Sequence, residues 1–111
     1  MGKKIEYTET QKKLALYAKA LSHPARISIL EKLSNSSCCY SGDMAEEIPI
    51  ARSTLSQHLK ELKISGLIQG EIKPPKIKYC INYKNWIEAK KLLFEIFSQT
   101  PPKNKKPCLK I

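Results

Sequence analysis

The residues with the most distinctive chemistry are four cysteines: the adjacent pair Cys38-Cys39, then Cys80 and Cys108. A thiolate is a soft ligand and a nucleophile, so such residues hold thiophilic ions or exchange disulfides. Two adjacent thiolates plus a third suit a trigonal ion such as trivalent arsenic or antimony. Tetrahedral zinc needs one or two further donors and usually takes histidine. Cys108 is the expected third ligand, because a Pro/Lys-rich tail gives it reach and offers no buried structural role. Cys80 competes for that place from a strand-like segment, where it also reads as a plain outward residue. The same thiols can instead form a redox or persulfide switch. With His23 and His58 the only histidines, no nucleophile–base–acid set is evident, and no enzyme or organic cofactor is expected.

A second group of residues suits nucleic acid. From about Ala51 to Ser65, Leu55, Leu59 and Leu62 recur at helical spacing. The first turns of that helix carry Arg52, Ser53, Thr54, Ser56, Gln57 and His58. Arginine pairs with guanine, glutamine pairs with adenine, and serine or threonine reaches base or phosphate. Lys60 and Lys63 add backbone attraction, and Lys73, Lys76 and Lys78 form a second basic cluster.

These groups need elements to position them. Leu14, Tyr17, Ala18 and Leu21 define one face of a first helix beginning near Thr8. His23-Pro24 breaks it and starts a second, lined by Ile27, Ile29, Leu30 and Leu33, with proline in its first turn. After the polar stretch Ser34 to Ser37 and the cysteine pair, Ser41 and Asp43 are placed to cap a short third helix that runs through Ile48 and ends at Pro49. The partial positive charge of that helix start favours thiolate at Cys38 and Cys39. The fourth helix is the polar-faced one, closed by Gly66.

Two strands follow, Leu67 to Glu71 and Ile77 to Ile81, the second with Ile77, Tyr79 and Ile81 alternating against Lys78, Cys80 and Asn82. The two prolines between them suit a hairpin without a tight two-residue turn. A last helix from about Lys84 to Ser98 lines up Trp86, Ala89, Leu93, Ile96 and Phe97. The order helix, helix, helix, helix, hairpin, helix predicts a mainly α chain with a β-hairpin wing, an α+β winged helix-turn-helix. The domain spans 1–98, and 99–111 is a flexible Lys/Pro-rich tail with Cys108.

Composition agrees with this organisation. Twenty Lys+Arg against ten Asp+Glu give a formal net charge of +10, which draws a polyanion towards the chain. A chain of 111 residues makes one small domain, whose core gains from a partner subunit. Apolar runs fall far short of the roughly 20 residues that cross a bilayer, and Lys3, Lys4, Glu6 and Glu9 interrupt any signal-like start. A cytoplasmic protein without membrane attachment is expected, and structural disulfides are not.

Two segments resemble a known family. Leu21-Ser22-His23-Pro24-Ala25-Arg26-Ile27-Ser28-Ile29-Leu30 is similar to the second-helix signature of ArsR/SmtB repressors. Ser53-Thr54-Leu55-Ser56-Gln57-His58-Leu59-Lys60-Glu61-Leu62, followed by Ser65-Gly66-Leu67-Ile68, resembles their recognition helix and wing entry. The resemblance covers about 8–97. It implies a homodimer joined by the first and last helices, a palindromic operator bound without effector, and release when a metal or metalloid binds.

Ala51 stands where the family often has a better capping residue. Many relatives place a Cys-x-Cys pair where Tyr40 and Gly42 stand here, so Cys38-Cys39 lies immediately upstream of the usual position. Adjacent cysteines occur in several of the family's arsenic sensors. The paired histidines and acids of a last-helix zinc site are missing, since that helix offers only Glu88 and Glu95. The dimer has an argument of its own. Packing Leu14, Tyr17 and Leu21 with Leu93, Ile96 and Phe97 across a two-fold axis buries two apolar stripes and sets two reading helices roughly 34 Å apart.

Overall fold

A computed structural model describes residues 5–35, 40–41, 44–73 and 76–103. Helix α1 (Glu9–Ala20) opens with a full capping box: the Thr8 hydroxyl accepts from the Gln11 amide, and the Gln11 side chain accepts from the Thr8 amide. Helix α2 (Pro24–Ser34) starts on His23, whose ring Nδ1 accepts from the Ala25 amide, with Pro24 in the first turn. A two-residue strand β1 (Tyr40–Ser41) precedes the single-turn α3 (Met44–Glu47), and α4 spans Arg52–Ser65. Strands β2 (Ile68–Lys73) and β3 (Lys76–Ile81) form the wing, and α5 (Tyr83–Phe97) follows it.

The core lies between the helices and the root of the wing. Tyr17 and Ala20 of α1 meet Ile29, Leu30 and Leu33 of α2, Leu55, Leu59 and Leu62 of α4, and Leu67, Ile68 and Tyr79 of the sheet. Met44 and Ile48 anchor the single turn of α3 in that core. Two readings of helix faces shift. In α1, Ala20 rather than Ala18 is buried, and in α2 Ile27 is exposed while Ile29 is fully buried. Each helix packs on two neighbours at once, which turns the buried stripe away from the one that spacing alone picks out.

The sheet has three strands, in the order β1-β3-β2 and all antiparallel. β1 was not foreseen, because two residues carry no alternation and their strand character comes only from pairing, Tyr40 with Tyr79 and Ser41 with Lys78. β2 and β3 pair from Ile68–Ile81 up to Lys73–Lys76. That register leaves two positions between the strands, shorter than the connection expected. Pro74 and Pro75 lie outside the described residues. Gly70 sits at φ +152°, opposite Tyr79, where an added Cβ would lie 2.1 Å from the Lys78 carbonyl oxygen. Only glycine lets the two backbones approach this closely.

Candidate nucleic-acid interface

Helix α4 holds the polar series expected to read bases. Its inner face is fixed by Leu55, Leu59 and Leu62, all buried. Arg52, Ser53, Thr54, Ser56, Gln57 and Lys60 are consequently exposed along the opposite side. The helix begins at Ala51, whose backbone is extended as an N-cap requires but whose side chain makes no capping hydrogen bond. It ends on Gly66, left-handed at φ 86°, whose amide donates to the Lys63 carbonyl.

His58 departs from the series. It was expected to face the groove, yet it is only 7% exposed. Its Nδ1 accepts from Nε of Arg26 at 3.1 Å, and its ring centroid lies 4.4 Å from that of His23. Arg26 also donates from Nη1 to the Lys19 carbonyl at 2.9 Å. One guanidinium thus braces the end of α1, the start of α2 and the flank of α4. Burial foremost, then the neighbouring His23 and Arg26, hold His58 below the ordinary histidine pKa, so it stays neutral and able to accept. Sequence reasoning overlooked Arg26 as the brace, although the residue stands inside the His23-Pro24-Ala25-Arg26 segment.

Further contacts orient α4 and the wing. Lys32 of α2 pairs with Glu47 of α3 at 2.7 Å. Asn85 donates from Nδ2 to the Gly66 carbonyl at 2.8 Å, and Asn82 caps α5 by accepting from the Asn85 amide. The end of α4, the base of the wing and the start of α5 therefore share one hydrogen-bonded knot. On the wing, Lys78 is exposed, and the backbone register ends with Lys73 paired to Lys76.

The thiol group of residues divides differently. Cys38, Cys39 and Cys108 lie outside the described residues. Cys80, on the central strand β3, is half-buried and disulfide-bonded, neither a plain outward residue nor a free thiol. Among the described residues, no group of three or more His, Cys, Asp or Glu side chains could hold a metal ion. Glu88 of α5 is already committed: it accepts from the Tyr17 hydroxyl at 2.6 Å and pairs with Lys13 at 3.0 Å. Burial and that carboxylate push the Tyr17 pKa up to about 12, and the Tyr17 and Lys13 hydrogen bonds hold Glu88 below the usual carboxylate range.

Residues 23–69, which contain α2, α3, α4 and the start of the wing, match the family model described as "Bacterial regulatory protein, arsR family". The HTH-type transcriptional regulator YgaV of Escherichia coli (strain K12) is 36% identical over 67 residues, covering 60% of this chain and 68% of YgaV. This chain belongs to the arsR family of bacterial regulatory proteins.

Further comparisons agree on the fold. An ArsR-like transcriptional regulator from Rhodococcus sp. RHA1 superposes with a TM-score of 0.65 at 24% identity, covering 83% of this chain and 86% of that one. The regulator CmtR of Mycobacterium tuberculosis is 32% identical over 68 residues, a match spanning 61% of this chain but only 57% of CmtR. Its NMR structure, described as that of a cadmium metal-sensor, superposes at a TM-score of 0.51 and 26% identity, covering 87% of this chain and 97% of that one. The winged helix-turn-helix expected from the element order is the observed fold. Among the described residues no helix is long and apolar enough to cross a membrane.

Proposed function

We propose that this arsR-family chain is a homodimeric repressor that holds a palindromic operator with α4 and the wing and releases it when trivalent arsenic or antimony binds cysteine thiolates. The observation that carries the DNA half is the division of α4, with leucines buried on one side and Arg52, Ser53, Thr54, Ser56, Gln57 and Lys60 exposed on the other. The chain's charge of +10 supplies the sequence-independent attraction to phosphate. Dimerisation is supported by apolar side chains left at the surface of α1 and α5: Leu16, Ile87, Phe94, Ile96 and Phe97, with Phe94 72% and Phe97 78% exposed.

The effector half rests on donor chemistry. Cys38, Cys39 and Cys108 are the proposed ligands, soft thiolates suited to a trigonal metalloid. The Tyr17 and Lys13 contacts of Glu88 argue against zinc at α5. Effector binding must be tighter in the DNA-free conformation, since equal affinity for both states would shift nothing.

Fluorescence anisotropy of the reduced protein on a labelled palindromic promoter fragment tests both halves. Release by arsenite but not by zinc is the expected outcome. Tight binding indifferent to arsenite discards the metalloid and keeps the repressor, and equal affinity for scrambled DNA discards sequence reading. A thiol-redox or persulfide-responsive repressor is the second reading, favoured by the disulfide at Cys80.

A further inference from the structure

Arg26, in the first turn of α2, divides its guanidinium between two neighbours. Nη1 donates to the Lys19 carbonyl at the end of α1, at 2.9 Å, and Nε donates to Nδ1 of His58 on α4, at 3.1 Å. The second bond exists only while Nδ1 of His58 carries no proton, which leaves the ring's one hydrogen on Nε2. The charge around that nitrogen has one sign. Arg26 is a permanent cation, and the His23 ring stands 4.4 Å away, centre to centre. α1 presents the Lys19 carbonyl here and no acid. Glu61, three residues further along α4, makes no hydrogen bond or ion pair with His58, Arg26 or His23 among the described residues. A proton on His58 therefore meets no carboxylate, in a side chain that is almost fully buried.

We propose that Arg26 is a positioning residue for DNA reading, and that it works through His58 as a proton-operated latch whose opening releases the operator. The proposal rests on the reading of α4 as the helix that contacts bases. Protonation turns Nδ1 from an acceptor into a donor, so that two donors and two positive charges face each other and the ring leaves Arg26. Arg52, Ser53, Thr54 and Gln57 lie in the turns just before His58, and Ala51 gives those turns no side-chain cap. Their orientation against α1 and α2 therefore depends on the latch. α1 also carries Leu16 of the proposed dimer surface, so the same bonds set the reading helix against the helices that space two protomers.

Burial, with His23 and Arg26 behind it, already holds His58 below the ordinary histidine value, so the latch is closed at neutral pH and opens in acid. By linkage, a form that binds DNA only with His58 neutral loses affinity as pH falls through that lowered value. The sign is diagnostic, because a histidine that merely gained charge beside phosphate would bind DNA more tightly in acid.

Two measurements on the full chain test the latch. Nitrogen NMR of the histidine rings without DNA is expected to show His58 as the Nε2–H tautomer at pH 7.5. As His58 titrates towards pH 5, the amide signals of Arg52, Ser53 and Thr54 are expected to shift with it. They should stay still in His58→Asn, whose Oδ1 accepts from Arg26 but takes no proton. Amides that ignore the His58 titration overturn the proposal whether or not DNA binds. Anisotropy then compares operator affinity at pH 7.5 and pH 5, with folding at both checked by circular dichroism. The wild type is expected to lose affinity about ten-fold. That loss should vanish in His58→Asn and persist in His23→Asn, where asparagine still caps α2. Affinity that rises in acid, a loss that persists in His58→Asn, or one that vanishes in His23→Asn overturns the proposal. Arg26→Lys keeps the charge without the planar fork, and is expected to bind operator about ten-fold more weakly at pH 7.5 with scrambled duplex unaffected. Undiminished operator affinity in that variant overturns the positioning role. A chain that binds neither duplex at pH 7.5 refutes the DNA-reading function, and the amide titration still decides the latch.

Discussion

Gln57 and His58 are neighbours in sequence with opposite assignments in the structure. Gln57 points outward on α4, touching nothing that folding needs, so Gln57→Ala is expected to leave the melting temperature within error. Under the proposed function its loss is expected to remove a bidentate contact to adenine, worth about 1–3 kcal/mol of base discrimination. Affinity for the operator is therefore expected to drop roughly 5- to 150-fold, with affinity for scrambled duplex unchanged, as anisotropy on the two DNAs would record.

His58 answers to pH instead. Its pKa is lowered in the folded chain, chiefly by burial, and its Nδ1 must stay unprotonated to accept from Arg26. The unfolded chain takes up the proton more readily, so this group's contribution to stability is complete above the ordinary histidine value of about 6.5 and is lost as pH falls through the depressed folded value. Thermal unfolding between pH 7.5 and pH 5 is expected to show a falling melting temperature. The dependence should flatten in His58→Asn, whose Oδ1 can accept from Arg26 but does not titrate. An equally steep fall in the variant would assign the acid sensitivity to other groups.

At the scale of elements, α4 is well stopped and poorly started. Gly66 closes it with a left-handed C-cap, whereas Ala51 leaves the first amides without a side-chain acceptor. Ala51 is exposed with φ −64° and ψ 145°, a backbone that serine adopts without strain. Ala51→Ser is expected to stabilise the fold by about 1 kcal/mol, within the usual 0.5–2 kcal/mol of an N-cap, measured by urea unfolding. A serine there adds no charge, so any change in DNA affinity would reflect firmer presentation of Arg52 and Ser53. α5 relies on a different device, since Glu88 draws the Tyr17 hydroxyl and Lys13 of α1 to it across 71 and 75 positions of chain.

For the whole molecule, the proposed function joins the exposed apolar side chains of α1 and α5 with the net charge of +10. In the proposed dimer each protomer brings one reading helix, and a palindrome needs two at a fixed separation. Phe94 and Phe97 are largely exposed and support little of the monomer's own core. The double variant Phe94→Ser, Phe97→Ser is expected to remain folded by circular dichroism but to run as a monomer in sedimentation velocity, with operator binding weakened at least 100-fold. A dimer that persists would move the interface elsewhere. The logarithm of operator affinity should also fall linearly with the logarithm of salt concentration, because each neutralised phosphate releases counterion.

Local signals in the sequence determined the five helices, the wing and the polar face of α4. Leucine spacing, His23-Pro24, Gly66 and the alternation around Tyr79 each act over a few residues, where backbone sterics and periodic burial decide the outcome. Three things depended on contacts between residues far apart in the chain. The two-residue strand β1 exists only because β3 offers it partners. The inward turn of His58 required Arg26, 32 positions earlier, to arrive beside it. The state of Cys80 depends on which other cysteine the fold delivers to the wing, and cysteine spacing carries no record of that pairing.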